Sequence, residues 1–456
     1  MSKYIGIFVF VFSLFSLGVH AGESFRFRVY LKDKGDSGYT LDNPEEYLSK
    51  ESVERRNRQG ISVSESDLPI AQAYLDTLSA NGGKPVLESK WFSTVVVSSP
   101  DSLVAERLSR LPIVDSVKWV WKGDEEIDIP REEKDTTRFM PIDKPEKSPY
   151  GYAEEQIKML NGIKLHEAGF KGEGMRVAVV DAGFMNVDRI SVFDSLRLLG
   201  THNVVFPGRS VFIGDDHGTK VLSCLAADAP GLMVGTAPQA EYWLIKSEDS
   251  RSEFPIEEDY WTAAMEFADS VGVDVLNTSL GYYAFDDKSK NYKLRNLDGH
   301  HALMSRQASR IADKGMVLVC SAGNSGAGSW KKITPPGDAG NVLTVGAVDK
   351  EAVLAPFSSV GNTADHRIKP DIVAVGLGAD VIRTDGNQGR ANGTSFASPI
   401  MCGMVACLWQ ACPELTAKEV MELVRRSGDR ADFPDNIYGY GVPDMWKAYQ
   451  DYLLKR

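Results

Sequence analysis

The sequence predicts an α/β fold: a parallel sheet with helices on both faces, preceded by a smaller α+β unit. Three observations predict it. From Tyr150 onward, short continuous apolar runs alternate with amphipathic helical stretches, the pattern of a sheet buried on both sides. Residues 22–122 instead show alternating strands and separate helices. Between the two lies 123–149, "GDEEIDIPREEKDTTRFMPIDKPEKSP", charged, proline-bearing and without an apolar period, which is linker composition. A chain of 456 residues has room for this division.

Taken in order, "FRFRVYLK" reads as a strand, "NPEEYLSKESVERRNRQG" and "PIAQAYLDTLSANG" as helices, and "SKWFSTVVVSS" as a strand. A helix at "PDSLVAERLSRL" and a strand at "VDSVKWVW" complete the unit, and this late strand–helix–strand order suits a ferredoxin-like shape. In the second unit, helices are expected at "EEQIKMLNGIKLHEAG", "GTKVLSCLAA", "IEEDYWTAAMEFADSVG", "HALMSRQASRIADKG", after Ser395, and at "TAKEVMELVRRSG". Strands are expected at "RVAVV", "EYWLIK", "VDVLNTSL", "MVLVCSAG", "NVLTVGAV" and "DIVAVG".

Composition narrows the function. Lys and Arg number 51 against 63 Asp and Glu, a net charge of −12, which argues against a nucleic-acid binder or a basic membrane-surface helix. Residues 1–21, "MSKYIGIFVFVFSLFSLGVHA", have the lysine, the apolar run and the small residue Ala21 of a cleaved secretory signal, so a secreted or extracytoplasmic location is expected, with no membrane association after cleavage. The five cysteines, Cys224, Cys320, Cys402, Cys407 and Cys412, lack metal-ligand spacing and read as structural thiols, with room for one disulfide.

Ligand sites of open parallel sheets lie beyond the carboxyl ends of the strands. Asp181 follows "RVAVV", His217 opens a helix after "VFIGDD", Asn324 follows "MVLVCSAG", and Ser395 stands at a helix start in "ANGTSFASP". Each alone has an ordinary explanation as a turn or cap. Together they supply an acid, a base, an amide donor and a hydroxyl. Serine needs an adjacent base, histidine takes a proton near neutral pH, a carboxylate holds its tautomer, and an oxyanion needs placed donors.

The motifs "VAVVDAG", "HGTKV", "SAGN" and "GTSFASP" resemble those of the subtilisin-like serine peptidases, over about 150–448. The resemblance implies Asp181, His217 and Ser395 as a triad and Asn324 as oxyanion donor. It implies a substrate-binding strand at "NTSLG", where Ser279, Leu280 and Gly281 would pair with an extended peptide. Ala182 stands where the family often has Thr or Ser, a side chain too small to bear on the mechanism. The resemblance further implies that 22–122 is a propeptide that assists folding and then inhibits, with self-cleavage in 123–149 and a mature enzyme from near Tyr150. Protein or peptide substrates, a monomer and no required cofactor are expected. Related enzymes often bind structural calcium, but no residue set identifies a site. The alternative reading is a catalytically silent peptide-binding or scaffold protein on the same fold. His300-His301 reads as surface, Asp215-Asp216 as local charge beside His217, and the acceptor patterns at Asn277 and Asn392 as core motifs rather than glycan sites.

Overall fold

The computed structural model describes residues 23–124, 136–142 and 147–455. The expected signal segment, 1–21, and most of the expected processing region lie outside the described residues.

The first unit runs β1 (Ser24–Leu31), α1 (Lys50–Arg58), α2 (Gln72–Ala80), β2 (Lys84–Ser89), β3 (Thr94–Ser99), α3 (Val104–Leu108) and β4 (Val114–Gly123). Its sheet is antiparallel in the order β2-β3-β1-β4, a split βαβ arrangement of ferredoxin-like type. One strand was expected over 89–99; the structure gives a hairpin instead, with β2 ending where that strand was to begin. β2 escapes a sequence reading because its residues alternate between exposed and half-buried and include Pro85. Alternation along β3 divides its valines. Val95 and Val97 enter the unit's own core with Val29, Leu78 and Leu108, whereas Val96 faces the second unit with Trp91, Val120 and Trp121.

The second unit opens with α4 (Glu154–Lys158) and α5 (Gly162–Glu167). A single helix was expected there. The left-handed conformation of Asn161 (φ 52°) breaks it. There follow β5 (Arg176–Asp181), β6 (Arg197–Asn203), α6 (His217–Ala226), the short pair β7 (Asp228–Ala229) and β8 (Met233–Val234), β9 (Glu241–Lys246), α7 (Ile256–Ser270), β10 (Val275–Thr278), α8 (Leu303–Ile311), β11 (Val317–Ser321), β12 (Leu343–Val348) and β13 (Ile372–Val375). The chain closes with β14 (Ala379–Ile382), β15 (Gln388–Ala391), α9 (Thr394–Ala411), α10 (Ala417–Ser427) and α11 (Met445–Leu453). β6 and α11 were not anticipated; β6 is a largely exposed sheet edge with no apolar run.

Seven strands form one parallel sheet in the order β13-β12-β11-β10-β5-β9-β6. Successive side chains divide between its faces. Val177, Val179, Val275, Val317 and Val319 pack with α6 and α9, and Ala178, Val180, Leu276 and Leu318 pack with α7 and α8. β5 sits between β9 and β10, where the strand order reverses, so its carboxyl end opens into the crevice such sheets use for ligands. All five cysteines are buried and none is joined in a disulfide.

The outer faces of α7 and α8 receive the first unit through buried charge. Arg28 on β1 grips Asp259 at 2.5 and 2.6 Å. Arg55 and Arg56 on α1 reach Asp269 at 2.5 and 2.8 Å, and Asp67 bridges Arg56 to Lys314. The Glu266 carboxylate accepts Ser89 Oγ–H and the Lys90 and Trp91 N–H groups at the tip of the β2–β3 hairpin.

Candidate active site

Asp181 ends β5, fully buried, and its Oδ1 accepts the Ala182 N–H at 2.8 Å. The same oxygen takes the His217 Nδ1–H at 2.7 Å, which leaves Nε2 as the open, basic nitrogen. His217 is the first residue of α6, and its own N–H donates to Asp215 Oδ1 at 2.8 Å. This approach of α6 to β5 requires glycine at 218: a Cβ there would lie 2.4 Å from Gly183 O and 3.0 Å from Asp181 Cβ. Burial draws the His217 pKa down, but the carboxylates of Asp181, Glu248 and Asp215 outweigh it and push it up to about 9.

Ser395 lies in the first turn of α9, one residue inside it; the cap position belongs to Gly393. So the serine is not the helix cap, and its hydroxyl is spared for other work. Its Oγ donates to Ser279 O at 3.3 Å, and Ser279 Oγ donates to Ser395 O at 2.8 Å. Asn277 completes the brace, donating to Ser279 Oγ at 3.1 Å and accepting Ser398 Oγ–H at 2.8 Å. The His217 ring centroid stands 5.9 Å from that of Phe396, the residue after Ser395, so base and hydroxyl share one end of the sheet.

Asn324 follows β11. Its Oδ1 accepts both the N–H and the Oγ1–H of Thr394 at 2.9 Å, which fixes the amide and turns Nδ2 the other way. Thr394 Oγ1 in turn accepts the Gly323 N–H at 3.1 Å. Ser279, Leu280 and Gly281 leave β10 beside Ser395; Gly281 sits against Thr334, whose Oγ1 would be 2.7 Å from a Cβ there. All four chemistry-bearing residues marked by the motifs thus lie on the carboxyl rim of β5, β10 and β11.

Thr394, Asn277 and Ser398 were not given a part in the site, although all three lie inside the quoted motifs; their part is to hold neighbours rather than to react. His300 and His301 are exposed, and both backbone N–H groups donate to Asp298. Asn277 is fully buried. Among the described residues, no group of three or more His, Cys, Asp or Glu side chains is placed to hold a metal ion, and no helix is long and apolar enough to cross a membrane.

The subtilase family model matches residues 172–441, which span the whole of this rim. The chain belongs to the subtilase family. Ahead of it, the model of the peptidase S8 propeptide domain of Bacteroidota matches 26–137. Subtilisin DY of Bacillus licheniformis is 29% identical over 308 residues, covering 66% of this chain and 98% of that protein. Subtilisin NAT of Bacillus subtilis subsp. natto is 27% identical over 396 residues, 86% of this chain and 89% of its own. Among solved structures, the MycP3 protease from the type VII (ESX-3) secretion system superposes with a TM-score of 0.52 at 21% identity, covering 69% of this chain and 94% of that one, and shows the same fold. The protein is therefore a subtilisin-like serine endopeptidase, a hydrolase carrying a propeptide domain.

Proposed function

We propose that the subtilase domain cleaves peptide bonds through Asp181, His217 and Ser395. The observation that carries this is the Asp181–His217 hydrogen bond at 2.7 Å, set beside Ser395 at the start of α9. Substrate pairs as an added strand with Ser279, Leu280 and Gly281. Ser395 Oγ attacks the scissile carbonyl as its proton passes to His217 Nε2, and Asp181 stabilises the imidazolium. The oxyanion is held by Asn324 Nδ2 and the Ser395 N–H, one of the first-turn groups of α9 that has no acceptor within the helix. His217 returns the proton to the leaving amine. Water then adds to the acyl-enzyme, giving its proton to His217, and the acid product leaves as Ser395 recovers its hydroxyl.

On this reading the chain is exported by its first 21 residues and held inactive by its first unit. It acts on protein or peptide substrates as a monomer without a required cofactor. A cut within 123–149 starts the mature enzyme near Tyr150. Support comes from the propeptide match and from the buried contacts that fasten the first unit to α7. Ser395→Ala is expected to abolish turnover and labelling by a serine-directed phosphonate together. Labelling that survives the substitution would exclude Ser395 as the nucleophile.

A further inference from the structure

Where the two units meet, the structure holds a cleft of about 420 Å³. One wall belongs to the first unit, with Tyr30 on β1 and Lys118 and Trp119 on β4. The other belongs to the second unit. Phe285, Lys290 and Tyr292 come from the stretch between β10 and α8, and Arg306 from α8 itself. A volume of this size suits a small organic molecule. Lys118 and Lys290 are exposed and Arg306 is half-buried, so solutes reach the cleft from the side these residues form.

The cleft is cationic and aromatic together. Lys118 Nζ stands 5.1 Å from the ring centre of Tyr30, and Lys290 Nζ 5.6 Å from that of Trp119. The Arg306 guanidinium lies 5.1 Å from the ring centre of Phe92. Among the described residues, none of these three side chains has a hydrogen bond or an ion pair. Asp287 bears on Lys290, but from beyond ion-pair distance. The opposing charge on the walls is already used. Arg28 lines the cleft but is held by Asp259, and Glu258 is buried and accepts the Tyr292 hydroxyl at 2.8 Å and the Met304 N–H at 3.4 Å. Exposed His301 sets its ring edge-on to Tyr292 at 5.7 Å and can only add to the positive side. A chain of net charge −12 would not gather unpaired cations at one seam by composition alone.

We propose that this cleft binds a small organic anion, an aromatic or apolar body that carries a phosphate or a pair of carboxylates. Lys118, Lys290 and Arg306 meet the charge, and Trp119, Phe285 and Tyr292 lie along the body. Inorganic phosphate would answer the cations but leave most of the volume and the rings without contact. Lys118 belongs to the first unit and the other two cations to the second, so the anion joins the units and favours the state in which they are docked. Binding stands apart from the peptidase reading; only its bearing on inhibition rests on that reading.

The test uses the full chain carrying Ser395→Ala, so that self-cleavage plays no part. Phenyl phosphate, phthalate, inorganic phosphate and benzyl alcohol are titrated by calorimetry at one ionic strength. The expected result is one site per chain for phenyl phosphate or phthalate, the tighter of the two naming the charged group. Inorganic phosphate should bind at least about tenfold more weakly and benzyl alcohol not at all. Lys118→Gln and Lys290→Gln should each weaken the aromatic anion by about tenfold or more, and Lys118→Arg and Lys290→Arg should keep it. Lys288→Gln, at an exposed lysine outside the cleft, should change nothing. Absence of binding by both aromatic anions would overturn the inference, as would equal weakening by Lys288→Gln or none by Lys118→Gln and Lys290→Gln. Saturating phenyl phosphate or phthalate should also slow the loss of residues 23–124 to an added protease. Loss at an unchanged rate would overturn the joining role.

Discussion

Asp181 uses one oxygen twice and leaves the other unpaired. Oδ1 holds both the Ala182 N–H and His217, while Oδ2 is buried with no donor, and alanine at 182 has no hydroxyl to offer it. The raised His217 pKa has a kinetic sign. The base must be neutral to accept the serine proton, so kcat/KM should fall as pH drops through the histidine's titration. That acid limb should lie above histidine's ordinary value of about 6.5. Asp215→Asn removes one raising carboxylate and should move the limb to lower pH; a pH–rate profile of both proteins checks it. Asn324→Ala should lower kcat by about 10² to 10³, the size seen when the corresponding donor of subtilisin is removed, read by steady-state kinetics on a small ester or peptide. These residues were readable in the sequence because each stands beside a strand end or helix start, flanked by glycine.

At the scale of elements, the strands of the parallel sheet other than β6 were legible because each is a short, mostly apolar and mostly buried run. The elements that escaped are those whose stability comes from neighbours. β2 pairs with β3 and alternates in exposure, and β6 is an edge held by β9. The break between α4 and α5 depends on one left-handed residue, Asn161, which hydrophobic spacing does not reveal. α10, by contrast, announces its start. Thr416 and Glu419 form a reciprocal capping box, with Thr416 Oγ1 accepting the Glu419 N–H at 3.3 Å and Glu419 accepting the Thr416 N–H at 2.8 Å. Thr416→Ala should destabilise the protein by about 1 kcal/mol in denaturant unfolding. It should leave kcat/KM alone, since α10 supplies nothing to the rim.

Over the whole molecule, the first unit is fixed by a small number of desolvated charges as well as by its valines and tryptophans. Asp269 is fully buried and answers two arginines that are themselves almost wholly buried. Removing it leaves Arg55 without a carboxylate partner and Arg56 with Asp67 alone, and breaking a buried pair in this way costs about 3–5 kcal/mol. Asp269→Ala should therefore lower the unfolding midpoint of the full chain by a margin far beyond the Thr416→Ala effect, and should loosen the first unit to limited proteolysis. None of this pairing was visible in the sequence, because Arg55, Arg56 and Asp269 are more than two hundred positions apart and each reads as an ordinary charge on a helix.

The five cysteines give the molecule one more property. Burial pushes the Cys224, Cys320, Cys402 and Cys407 thiols well up, so none offers a thiolate while the body stays closed. With no cross-link to make or break, the fold needs neither an oxidant to mature nor protection from a reductant. Alkylation of these sulfurs would mark only the moments when the sheet and its helices come apart.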